Sequence, residues 1–438
     1  MKKFFTTIRN IFAIEDLRIR IINTLFFLII FRLGSFVVLP GVDSSKLGDA
    51  EGIFGLLDTL LGGAFSRSSV FALGIMPYIS ASIVVQLLTV AVPYFQKLQK
   101  DGESGRNKIN QITRVLTILI TIAQAVGYLS TTIPAEAILI DRTFFTISSV
   151  IIITAGTIFC MWLGEKITDK GIGNGISMLI MIGIIARFPG SIAAEAVSRG
   201  MSGMLLFILE IVALFFVVMG VVMLTQAVRR IPVQYAKQVV GNKVYGGQRQ
   251  YIPLKVNASG VMPIIFAQSL MFLPALVAGI WSDTSDMAAS IGSTFSDFTT
   301  WQYNLVFGLL IILFTFFYTA ITVNPNQIAD DMRRNGGFVP GIKPGKQTSE
   351  FIDNILTKIT LPGSIFLAIV AILPAIANLA GVSRDFSQFY GGTSLLIMVG
   401  VILDTLQQIE SYLLMRHYEG MMKSGRVKGR SQNVAVAT

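Results

Sequence analysis

Apolar residues run in long blocks along this chain, broken by short polar stretches. A helix that spans a membrane needs roughly 20 mostly apolar residues. Ten blocks meet or approach that length and predict spans at 21–40, 70–92, 111–130, 143–164, 174–188, 204–227, 260–281, 302–322, 361–380 and 390–409. The fifth is short, so it is either little tilted or extended by polar residues that face protein. Ten spans divide into halves of five, 21–188 and 204–409. An odd number per half means that any internal repeat is inverted in the membrane. Gly74-Ile75-Met76-Pro77 in the second span and Gly260-Val261-Met262-Pro263 in the seventh hint at such a repeat, with chance an equal explanation. The expected fold class is an all-α polytopic membrane protein with ten transmembrane helices in two inverted halves.

The block at 51–69, EGIFGLLDTLLGGAFSRSS, is apolar and glycine-rich with Asp58 inside it, yet too short to span. It reads either as an interfacial helix or as a re-entrant segment, which is tolerated only inside protein or a water-filled cavity. The first span follows Lys2, Lys3, Arg9, Arg18 and Arg20, like a signal peptide. It exceeds the usual ~7–15 residue signal core and lacks an Ala-x-Ala site, so an uncleaved anchor is expected.

Composition agrees. The 438 residues are 53% hydrophobic and 14% charged, against about 25% charged in soluble domains. This excludes a disordered chain and argues against a water-soluble enzyme. One cysteine, Cys160, and one histidine, His417, permit no internal disulfide and no Cys/His zinc cluster. No metal or cofactor is expected. The net charge of +10 would point to nucleic acid in a soluble protein. Here placement matters more. Of 35 lysines and arginines, 27 lie on the side of the N-terminus (1–20, 93–110, 165–173, 228–259, 323–360 and 410–438) and 6 on the other. The positive-inside rule therefore puts the N-terminal segment 1–20 and the tail 410–438 in the cytoplasm.

Two cytoplasmic loops are longer than helix packing requires. The first, 228–259, contains Arg229, Arg230, Lys237, Lys243, Arg249 and Lys255 and no acidic residue, with Pro and Gly-Gly punctuating short β-prone runs. A hairpin-like protrusion fits that pattern. The second, 323–360, carries Arg333, Arg334, Lys343 and Lys346. The basic residues serve either as topogenic charge and lipid attraction or as a docking surface for an anionic partner such as RNA phosphate. Well inside the spans, the charged residues are Arg32, Glu210 and Asp404, with Arg114 near a cytoplasmic end. Ion-coupled pumps usually carry intramembrane carboxylates. Glu210 and Asp404 could form such a relay, or serve as structural partners of Arg32 or of backbone groups. No phosphate-binding GxxxxGK[ST] loop and no HExxH pair is present, so the chain is not expected to be an enzyme.

Seven motifs, in order, resemble the SecY-type protein-conducting channel family along nearly the whole chain. They are Phe31-Arg32-Leu33-Gly34 followed by Pro40-Gly41; FALGIMPYISASIVVQ (71–86); GESGR (102–106); ITDKGIGNGIS (167–177); Tyr235-Ala236-Lys237 with PLKVN (253–257); Asn324-Pro325 with FVPGIKPG (338–345); and YGGTSLLI (390–397). The resemblance implies an hourglass pore between the halves, passing unfolded secretory polypeptides across the bacterial plasma (inner) membrane and releasing transmembrane segments sideways into lipid. It implies a waist ring of Ile75, Ile79, Ile180, Ile184, Ile265 and Ile397. It also implies a plug at 51–69, with Phe54, Leu57, Leu60, Gly62 and Gly63, and a lateral gate with Gln86 and Gln268. The basic loop residues become the docking surface for the ribosome and the motor ATPase SecA. The small subunits SecE and SecG, signal sequences and nascent polypeptides, and the bilayer complete the implied partners. An apolar constriction sheds water and blocks ions when empty, which suits such a ring. One departure stands out. Lys343 replaces the family's usual Arg before Pro-Gly, keeping the charge but losing the forked donor geometry. The rival reading is an ion-coupled small-solute transporter, which predicts essential Glu210 or Asp404.

Overall fold

A computed structural model describes residues 14–47, 61–201, 203–235, 249–268 and 297–423, together with residues 12, 58, 238–240, 243–245, 270–271 and 294. The helices are α1 (Glu15–Gly34), α2 (Met76–Ala91), α3 (Pro93–Lys100), α4 (Gly102–Thr132), α5 (Arg142–Lys170), α6 (Gly175–Arg199), α7 (Met204–Gln226), α8 (Trp301–Thr322), α9 (Pro325–Arg334), α10 (Lys346–Leu379), α11 (Arg384–Ser387) and α12 (Gly392–Lys423). Residues 262–268 and 270–271 are also helical. The strands are β1 (Val228–Tyr235), β2 (Gln238–Val240), β3 (Lys243–Tyr245), β4 (Arg249–Lys255) and β5 (Gly337–Phe338).

Among the described residues, α4, α5, α6, α7, α8, α10 and α12 are long and apolar enough to cross a membrane, and α2 with α3 makes an eighth as a pair bent by 101°. These correspond to eight of the ten expected spans. Helix α1 carries Arg18, Arg20 and Arg32 in any stretch of membrane length. Even so, Ile22, Leu25, Phe26, Ile29 and Leu33 on it are exposed. Residues 269 and 272–281 of the expected seventh span lie outside the described residues. The most exposed side chains of α7 are Leu205, Leu209, Phe215 and Met223. An apolar outer surface of this extent is what lipid requires.

Several helix boundaries depart from the apolar blocks. The second span begins only at Met76, because Gly74 takes a left-handed φ of +49° and a proline occupies the first turn. Proline is suited to that position, where its missing N–H leaves no gap. The same device recurs at Gly260, with φ +62°, ahead of Met262-Pro263. The fifth span is not short. Helix α6 runs on to Arg199, through Pro189. Its polar last turns pair inside the protein, so the loss of apolarity in sequence does not end the helix. Two of the quoted motifs contain helix caps. The Asn174 side chain accepts from the N–H groups of Ile176 and Ser177 at 3.1 and 3.2 Å. Asn324 does the same for Asn326 and Gln327 at 3.1 and 3.3 Å. Each satisfies backbone donors that a helix start leaves open.

The chain is not purely helical. Strand β1 pairs antiparallel with β4, as the hairpin expectation for 228–259 requires, and β1 also pairs with β5 from the second loop (Gln234 with Phe338, Tyr235 with Gly337). Ile231, Val233 and Leu254 from the first loop pack with Met332, Val339, Ile352 and Leu356 from the second. The two long loops are thus one folded unit with its own apolar core. Three further cores lie among the membrane helices. One belongs to α4, α5 and the turns at 61–73. One belongs to α7, α8, α10, α12 and the helical residues 262–268 and 270–271. The third draws on both halves.

Candidate functional site

The shared core holds every ring candidate. Ile75, Ile79, Ile184 and Ile397 are buried in it, and Ile180 and Ile265 pack against it. They come from the turn before α2, from α2 itself, from α6, from the helix at 262–268 and from α12. Phe266, Phe389 and Tyr390 join the same cluster. These four helices and the turn before α2 therefore contribute aliphatic side chains to one cluster that draws on both halves.

Beside this cluster lies the described part of the 51–69 block. Phe54, Leu57 and Leu60 fall outside the described residues, whereas Gly62 and Gly63 are buried, with φ of +66° and +87°. Left-handed backbone of this kind favours glycine. A Cβ on Gly62 would lie 2.6 Å from Nη1 of Arg32 and 2.9 Å from the backbone of Gly183 on α6. Arg32 donates to the Gly62 carbonyl at 3.0 Å. The Tyr128 hydroxyl on α4 donates to the Phe65 carbonyl at 2.6 Å. Asp58, 1% exposed, accepts from Ser66 and pairs with Arg187 on α6 at 2.8 Å. The apolar blocks put Arg187 at the very end of the fifth span, 174–188, and the lone Asp58 in an apolar run was the one sequence signal of this arrangement.

The gate candidates do not bond to each other. Gln86 reaches along α2 to Ser82 at 3.4 Å. Gln268 is buried and accepts from the Thr393 hydroxyl of α12 at 2.7 Å.

The basic residues gather on the unit formed by the two long loops. Arg229 and Arg230 on β1, Lys255 on β4, Arg333 and Arg334 at the end of α9, and Lys343 in the following turn are all exposed. Lys243 and Arg249 lie on β3 and β4, and Lys237 lies outside the described residues. The β1–β5 pairing, which brings the two loops together, was not legible in the sequence.

A profile of the SecY family matches residues 69–406. Over 436 residues the chain is 42% identical to the protein translocase subunit SecY of Streptomyces coelicolor, covering 95% of this chain and 100% of that one. The chain belongs to the SecY family. The subunit of the same name from Halalkalibacterium halodurans is 44% identical over 437 residues, covering 96% of this chain and 100% of that one. Two solved structures share the fold. A protein-conducting channel matches with a TM-score of 0.63 at 17% identity, over 90% of this chain and 92% of that one. Sec61 in the canine ribosome–channel complex from the endoplasmic reticulum matches at 0.59 and 16%, over the same shares.

Of the charged residues expected within the spans, Glu210 and Arg32 take structural partners. Glu210 pairs with Arg199 at 2.5 Å, and Arg199 also holds Glu195 at 2.9 Å and the Gly381 carbonyl. Arg32 is not their partner, since its contact is with Gly62. Asp404 is exposed on α12 and enters no ion pair among the described residues. Two carboxylates so differently placed form no relay, and the transporter reading finds no support.

Proposed function

We propose that this chain is the channel subunit through which unfolded secretory polypeptides cross the bacterial plasma membrane, and from which transmembrane segments leave sideways into lipid. The observation that carries the reading is the convergence of Ile75, Ile79, Ile180, Ile184, Ile265 and Ile397 on one apolar cluster between the halves. A narrow aliphatic ring excludes water when empty and so bars ions. Its side chains still yield to a passing chain of any sequence.

In this reading the N-terminal half is 21–188 and the C-terminal half 204–409, ten spans in inverted repeat. The matched turns at Gly74 and Gly260, each opening a Met-Pro helix start, support the repeat. Both termini are cytoplasmic, by the distribution of Lys and Arg. The segment at 51–69 is the plug, and Gln86 and Gln268 belong to the lateral gate. The joined loops form the docking surface for ribosomal RNA phosphate and for the motor ATPase SecA, with SecE and SecG as small membrane partners. Sec61 in a ribosome–channel complex is a structural relative, which supports a ribosome-facing role for exposed Arg229, Arg230, Lys255, Arg333, Arg334 and Lys343. No residue performs covalent chemistry, so the driving energy comes from those partners.

The test uses the lone cysteine. Cys160 is replaced with Ala, Ile397 with Cys, and a secretory chain carrying one Cys is stalled in mid-transit. A disulfide confined to Ile397→Cys and equivalent ring variants, absent from lipid-facing controls such as Leu209→Cys, is expected. A membrane-inserted stalled chain that links to no ring position overturns the pore assignment.

A further inference from the structure

We propose that the Asp58–Arg187 ion pair is a latch that fastens the segment carrying Asp58, Gly62 and Ser66 to α6 and keeps the resting channel closed to ions. The proposal rests on the channel reading above and assigns a role to two residues that the reading leaves without one.

The carboxylate of Asp58 is almost fully buried, and both its oxygens are engaged. Oδ2 lies 2.8 Å from Nη2 of Arg187 and accepts the Ser66 hydroxyl at 2.9 Å. Oδ1 accepts the Ser66 N–H at 2.9 Å. A buried carboxylate is tolerated only when paired and hydrogen-bonded in this way. Its position is set by a second contact one turn away. Arg187 follows Gly183 by four residues on α6, so the two lie on the same face. Gly62 presses on the Gly183 backbone so closely that a Cβ would meet it at 2.9 Å. Helix α6 thus offers a bare patch for the segment's glycine and, one turn on, a guanidinium for its aspartate.

The surroundings make the contact specific for a carboxylate. Arg32 and Arg67 both lie over the Phe36 ring, at 5.2 and 4.6 Å, and Arg32 reaches the Gly62 carbonyl. Two arginines, Arg32 and Arg187, therefore face the segment, which carries Arg67 itself, and Asp58 supplies negative charge among them. The contact can also open. Arg187 is 31% exposed, so water can replace its partner at once. The positive-φ glycines at 62 and 63 allow the backbone to swing without side-chain hindrance. Leu61 and Phe65 hold the segment by apolar burial. The ion pair adds directional hold on α6, which is lost all at once when the segment moves.

The experiment uses the full chain with its membrane partners in sealed lipid vesicles. Resting chloride and potassium flux is measured for the wild type, Asp58→Asn, Arg187→Gln, the double variant and Ser66→Ala. Each charge-removing variant is expected to raise the leak about tenfold, the size expected for losing one charge-assisted hydrogen bond. The double variant leaks no more than either single one, because both remove the same contact. Ser66→Ala, which takes one bond and no charge, falls between them and the wild type. Thermal melting of the same preparations establishes that each variant is folded. If folded variants leak like the wild type, or if the two single effects multiply in the double, the latch is overturned. Transport of a secretory polypeptide is assayed in the same vesicles. Its absence in the wild type overturns the channel reading, whereas normal transport with an unchanged leak overturns the latch alone.

Discussion

The hydroxyl of Thr393 on α12 donates to Oε1 of Gln268 at 2.7 Å, joining the helix that carries Ile397 to the helix that carries Ile265. Both residues are buried. Thr393→Val leaves the Gln268 amide short of a partner, and an unsatisfied buried polar group costs roughly 1–3 kcal/mol. Thr393→Val is therefore expected to lower the thermal unfolding temperature in detergent. Adding Gln268→Leu recovers most of the loss, because both ends of the bond are then apolar. A double variant no more stable than Thr393→Val would show that this hydrogen bond does not connect the helices energetically.

Arg199 serves two buried carboxylates, Glu195 and Glu210. Removing it with Arg199→Ala strands both. Breaking a buried pair from one side costs about 3–5 kcal/mol, so the protein is expected to melt far lower and to be scarce in membranes. Glu210→Gln keeps a hydrogen-bonding group and leaves Arg199 with Glu195, so a much smaller loss is expected. Asp404→Asn, at an exposed site, changes neither stability nor secretion. Loss of secretion by a folded, abundant Asp404→Asn protein would contradict this.

The unit formed by the two long loops stands on its own core. Ile352 is 1% exposed in it, and truncating such a residue to Ala costs roughly 2–5 kcal/mol. Ile352→Ala is expected to speed tryptic cleavage within 228–259 although the substitution lies in the other loop, since β1 and β5 share one sheet. Accelerated cleavage confined to 323–360 would mean that the loops fold separately.

Charge reversal of Arg229, Arg230 and Lys255 tests docking. If these residues meet RNA phosphate, each lost contact lowers the slope of log affinity against log salt by roughly 0.7–0.9. Ribosome binding measured across a salt series should show the change for the three together. An unchanged slope would leave them as topogenic charge.

Glycines give a matched pair of expectations. A Cβ on Gly175 would stand 2.0 Å from the Gly164 carbonyl oxygen, whereas nothing lies within 4 Å of one on Gly127. Gly175→Ala should destabilise by roughly 1–3 kcal/mol through overpacking. Gly127→Ala, inside α4, should stabilise by about 0.5–1 kcal/mol through helix propensity. Opposite shifts in melting temperature are expected.

Much of this protein was legible along the chain because it depends on local chemistry. The apolar blocks marked eight of the described helices, since a span must satisfy its backbone internally and cover itself with apolar side chains. Prolines and turn residues marked the β1–β4 hairpin. The motifs at Asn174 and Asn324 carry helix caps, which act within three residues. What the tertiary structure decided are contacts between residues far apart in sequence. The Asp58–Arg187 pair, the Thr393–Gln268 bond and the β1–β5 pairing each need two distant segments to arrive together. The same holds for the length of α6, which continues past its apolar block because Glu195 and Arg199 find partners on α7 and near Gly381 and Ser383. Periodicity and composition report which surface a residue can tolerate, lipid or water. Which residue it meets there is set only when the helices pack.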